Sequence, residues 1–96
     1  MRISLSPARA RGELRAYRLA FLDACAETSH GDGTLLDAVD ATLAAMPAAE
    51  RRRIDAVTIF ERLRPEAQRL LQGPEIALSD EEADAVFVRA MQIESK

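Results

Sequence analysis

Helix punctuation constrains this chain more than any other feature. Pro47, Pro65 and the pair Gly73-Pro74 cut it into pieces too short for a long helix, and apolar residues recur at helical spacing within the pieces. Proline ends or kinks a helix that reaches it, yet suits the first position of the next. Ser6-Pro7 reads as an N-cap followed by a helical first position, after an extended arm over residues 1–6. Helix 1 is predicted to run to about Ala26, with Leu14, Tyr17, Phe21 and Cys25 on one stripe and Leu22 at its edge. The stretch Thr28-Ser29-His30-Gly31-Asp32-Gly33 then breaks it as a loop.

Thr34 caps helix 2 with Asp37 as its capping-box partner, and Leu35, Leu36, Val39, Leu43 and Met46 form the apolar face. Helix 3 is predicted from Ala48 to about Leu63. Pro65 separates it from a short helix 4, Glu66 to Gln72, or merely kinks one longer helix. The strongest local signal is Ser79-Asp80-Glu81-Glu82, a serine cap with glutamate three residues on and acids against the positive end of the helix dipole. Helix 5 follows with Ala83, Val86, Phe87, Ala90, Met91 and Ile93 on one face. No run reads convincingly as a strand. The expectation is an all-α chain, a compact single domain over residues 1–96 built from four or five short helices with short loops.

Composition agrees and narrows the function classes. Hydrophobic residues make up 48% and charged residues 30% of the 96, the balance of a globular chain rather than a disordered one. Alanine, the best helix former, is the commonest residue. Arginine outnumbers lysine twelve to one, a ratio that a GC-rich genome explains without invoking recognition. One cysteine forms no internal disulfide and no cysteine-based zinc site. No apolar run approaches membrane-spanning length and the N-terminus lacks a signal-peptide core, so the expected location is the cytoplasm. Charge comes in blocks: +4 over residues 1–18, −6 over 19–50, +3 over 51–74 and −4 over 75–96. Such alternation suits pairing between helices or between copies, and a pI near 5.1 argues against nucleic acid as the main partner.

Candidate chemistry is sparse. His30 beside Asp32 offers a base or ligand, but the spacing matches no metal site and the plain reading is an exposed loop. Cys25 sits on an apolar stripe and reads as a buried thiol. Arg51, Arg52 and Arg53 are the only basic run. Three consecutive helical residues span about 200°, so they do not all face one ligand, and Arg51 is spaced to pair with Asp55. The acids from Asp80 to Asp84 read as a capped helix start, without a calcium-loop pattern. No catalytic residues, cofactor site or metal site are expected, and hence no enzyme. More telling are apolar residues off their own stripes. Leu19 lies about 140° from Leu14, Val88 about 140° from Ala83, and Ile59 about 100° from Phe60 on ideal wheels. Leu19, Ile59 and Val88, with Arg51, Arg52 and Arg53, are the candidate protein-interaction residues.

Residues 60–93 also resemble small helical proteins encoded among phage and prophage tail genes. The shared pattern is an aromatic-x-Arg-x-x-Pro segment, met here by Phe60, Arg62 and Pro65, then Leu78, Ser79, Asp84, Phe87, Ala90 and Ile93. The tryptophan often found ahead of the first aromatic is missing, and Ala77 replaces a glycine. The resemblance implies a non-enzymatic, tail-associated structural or assembly protein of phage origin, in the host cytoplasm or on the virion, acting through contacts with virion proteins; the charge blocks and off-stripe apolar residues also allow a homo-oligomer. The alternatives are a small phage-encoded inhibitor of a host defence system, binding a host nucleoprotein complex, and an enzyme using His30. No membrane partner is expected.

Overall fold

Where the sequence places a capping box, the computed structural model of the chain, which describes residues 11–95, builds one. Thr34 Oγ1 accepts from the Asp37 N–H at 3.2 Å while Asp37 Oδ2 accepts from the Thr34 N–H at 3.0 Å. Ser79 and Glu82 reciprocate in the same way at 3.2 and 3.0 Å. Each box satisfies donors that a helix start otherwise leaves open.

The elements in order are β1 (Arg15–Tyr17), α1 (Arg18–Glu27), β2 (Ser29–His30), β3 (Gly33–Thr34), α2 (Leu35–Ala45), α3 (Ala48–Asp55), β4 (Ile59–Glu61), α4 (Pro65–Gln72) and α5 (Asp80–Glu94). The chain is thus mostly helical, with five helices among the described residues. Pro65 opens a separate α4 rather than kinking a longer helix. The predicted arm at 1–6 and the Ser6-Pro7 start lie outside the described residues.

Three expectations are corrected. The predicted helix 1 is interrupted by β1, and the predicted helix 3 ends at Asp55 instead of Leu63. The two interruptions find each other: β1 and β4 pair antiparallel, with Arg15 opposite Glu61, Ala16 opposite Phe60 and Tyr17 opposite Ile59. Val57-Thr58-Ile59-Phe60 is a run of β-branched and aromatic residues, which lose side-chain freedom in a helix and pack well on a pleated surface. The His30 loop is not open either. Ser29 pairs with Thr34 and His30 with Gly33, and Gly31 at φ 59° supplies the left-handed residue the hairpin turn requires. The all-α reading therefore becomes mostly α with two small antiparallel pairs.

Phe21 of α1 is fully buried at the centre of the core. Its ring stacks on Phe60 of β4 at 4.7 Å and lies 5.4 Å from Phe87 of α5. Leu35, Val39 and Met46 close one side, and Ala67, Leu70 and Leu71 of α4 another. The predicted α5 face is buried at Ala83, Val86, Phe87 and Ala90, while Met91 turns outward. Glu27, at the end of α1, pairs with Arg89, and Tyr17, just before α1, donates to Glu94. The helices α1 and α5 therefore run antiparallel.

Candidate interaction surface

Both strands of the β1–β4 ribbon alternate exposed, buried, exposed, the period-two pattern of a sheet covered on one face. Ala16 and Phe60 point into the core. The outer face then carries two cross-strand pairs, Arg15 with Glu61 and Tyr17 with Ile59. The second is an aromatic residue against a β-branched one, left 57% and 42% exposed. A cleft of about 380 Å³ opens beside it, lined by Arg15, Ala16, Tyr17, Ile59 and Glu94.

The adjoining flank of α5 extends this surface. At the helical repeat Val88 and Met91 lie within about 40° of Asp84, on one flank of the helix. Asp84 meets Arg11 just ahead of β1, and Glu94, further along α5, accepts the Tyr17 N–H, so β1 runs alongside α5. Val88 and Met91 are 44% and 39% exposed there.

A buried arginine holds ribbon and helix together. Arg62, directly after β4, is 2% exposed. Its Nε donates to Asp84 Oδ1 at 2.9 Å, Nη2 to Asp80 Oδ1 at 2.9 Å and Nη1 to Gln72 Oε1 at 3.1 Å. Arg11 Nε donates to the other oxygen of Asp84 at 2.8 Å. The Asp80 carboxyl is held below the usual range by the Gln72 amide, then by Arg62 and Arg11. Arg18 acts at the other end of the ribbon. Its guanidinium lies 5.3 Å over the Phe60 ring and donates to the carbonyls of Val57 and Ile54, near the C-terminus of α3. Neither arginine stands out by helical spacing. The available signal for Arg62 is its place two residues after Phe60, which in strand period puts both on the inner side.

Of the residues singled out by sequence, Leu19, Ile59 and Val88 are all exposed, Leu19 most of all at 72%. Ile59 lines the cleft and Val88 lies on the adjoining flank, whereas Leu19 does not line the cleft. Arg51, Arg52 and Arg53 are exposed on α3 and make no ion pair among the described residues, so the expected Arg51–Asp55 pair is absent. Arg53 faces a different cleft with Glu50, Ile54, Pro65, Glu66 and Arg69. His30 is half-buried in its hairpin, beside Glu82, Leu35 and Leu78. Cys25 is buried, and desolvation followed by the Asp40 charge pushes its thiol up to about 12. No group of three or more His, Cys, Asp or Glu able to hold a metal occurs among the described residues, and no helix there is long and apolar enough to cross a membrane. The residues that carry the tail-protein resemblance fall into packing roles: Phe60 and Phe87 flank Phe21, Arg62 binds Asp84, Pro65 opens α4 and Ser79 caps α5. Comparison with protein-family models, with curated proteins and with solved structures finds no match.

Proposed function

We propose that this chain is a non-enzymatic protein-contact module whose working surface is the outer face of the β1–β4 ribbon and the adjoining flank of α5. The observation that carries the reading is the Tyr17–Ile59 pair, two large apolar side chains left open side by side on the ribbon beside a cleft. Clustered exposed apolar residues rimmed by charge are the usual form of a protein contact, whereas scattered ones need no explanation. The resemblance of residues 60–93 suggests the setting, a structural or assembly component of a phage tail.

The test is retention of source-cell proteins on the immobilised chain, wild type against Ile59→Asp and Val88→Glu at matched helicity. Virion proteins retained by wild type and lost by both variants support the reading. Retention of a nucleoprotein that exchanges with its own nucleic acid replaces it with the inhibitor reading. Retention unchanged by both substitutions shows that this surface is not the contact.

A further inference from the structure

The same surface carries a hint of its own partner. Its cleft holds one charge of each sign, Arg15 two residues along β1 from Tyr17 and Glu94 at the Tyr17 N–H, together with the apolar pair. Arg15 makes no ion pair among the described residues, although Glu61 stands opposite it across the ribbon; Glu61 instead lies 3.4 Å from Arg64. Glu94 accepts a hydrogen bond from the Tyr17 N–H and has no cationic partner among the described residues.

Resting on the contact reading above, we infer that the occupant is a second copy of this chain, related by a two-fold axis through the Tyr17–Ile59 patch. Such an interface is isologous: a surface with one cation and one carboxylate beside an apolar pair complements itself when a two-fold axis passes between the two charges, Arg15 meeting the partner's Glu94 and Glu94 meeting the partner's Arg15. A strongly basic or strongly acidic target meets a like charge at one of the two positions. A second copy satisfies both, and it covers Tyr17, Ile59, Val88 and Met91 with their own counterparts.

Sedimentation equilibrium on Arg15→Glu and Glu94→Arg tests this, each alone and mixed in equal amounts. Wild type should sediment at twice the 10.6 kDa of one chain and each single variant at 10.6 kDa, because each places like charges together in a homodimer. The mixture should return to the doubled mass, since in the mixed pair both contacts are again complementary. Circular dichroism checks that each variant keeps its helicity. If Glu94→Arg fails to fold through loss of its bond to Tyr17, Val88→Glu stands in, with the monomer mass expected.

Wild type remaining at 10.6 kDa in concentrated solution overturns the inference, and so does assembly beyond two copies. Folded single variants that stay dimeric, or a mixture of folded variants that stays monomeric, also overturn it. A monomeric wild type still leaves the contact reading to be decided by retention of other proteins, so the two failures are distinguishable.

Discussion

Desolvating a guanidinium is unfavourable unless its N–H groups are met, and Arg62 is met by Asp84, Asp80 and Gln72 at once. Removing one partner of a buried ion pair costs about 3–5 kcal/mol, and Asp80 and Asp84 are part-exposed enough to recover some hydration, so Arg62→Met should cost about 3 kcal/mol in a urea titration at neutral pH. Arg62→Lys should not restore it, because an ammonium lacks the planar fork that spans three acceptors. Cys25 leads to the opposite expectation, inertness. With its thiol pushed up to about 12 and its side chain buried, it should resist alkylation at mildly alkaline pH until denaturant is added. Labelling of the native protein at the rate of free cysteine contradicts that placement. The burial of Cys25 was legible from its spacing to Phe21, whereas that of Arg62 was not. A stripe rule sorts residues by hydropathy, and an arginine enters a core only where distant acids are brought to it.

The same division between local and distant information separates the elements. Both capping boxes were legible because each is complete within four residues, and Ser79→Ala should cost about 1 kcal/mol of stability by thermal melting. Phe87, central on the α5 stripe, was legible for the same reason. Phe87→Ala removes a ring packed near Phe21 and should cost on the order of 3–5 kcal/mol, and a melting temperature near wild type would place the core elsewhere. The ribbon was not legible. Neither β1 nor β4 is stable as a lone strand of three residues, and each gains its strand-pairing hydrogen bonds only from the other, far along the chain. Helical spacing therefore put Tyr17 on the inner stripe, where the strand period turns it outward. For Ile59 both periods gave the outer side, one by wheel angle and the other by alternation with Phe60. The off-stripe spacing thus marked Ile59 and Val88 as exposed positions, but it missed that Tyr17 is exposed beside Ile59.

Across the molecule the charge blocks resolve into pairs between distant segments: Arg11 and Arg62 with Asp84, Arg69 with Glu50, and Arg89 with Glu27. A further set of carboxyls carries the acid side of the pH profile of stability. The carboxyls of Asp80, Glu75 and Glu82 are held below their ordinary range, by the Gln72 amide and Arg62, by Arg69, and by the Ser79 cap respectively. For each the folded chain binds its proton less tightly than the unfolded chain. Their contribution is therefore complete above about pH 5 and is lost as the pH falls through the folded values. Cys25 has the reverse sign, since its thiol holds a proton more tightly when folded; stability should decline as the pH rises from about 9 towards about 12. Asp80→Asn isolates one member of the acid limb, because asparagine resembles the protonated acid in shape but loses the charge that faces Arg62 and Arg11. The variant should be less stable than wild type at neutral pH, and the two urea midpoints should converge as the pH drops through the folded value of Asp80. Added salt should narrow the neutral-pH gap only in part, since counterions screen the exposed side of Asp80 but reach the buried Arg62 guanidinium poorly. A constant difference between the two proteins at every pH would mean that Asp80 contributes by shape and hydrogen bonding rather than by charge.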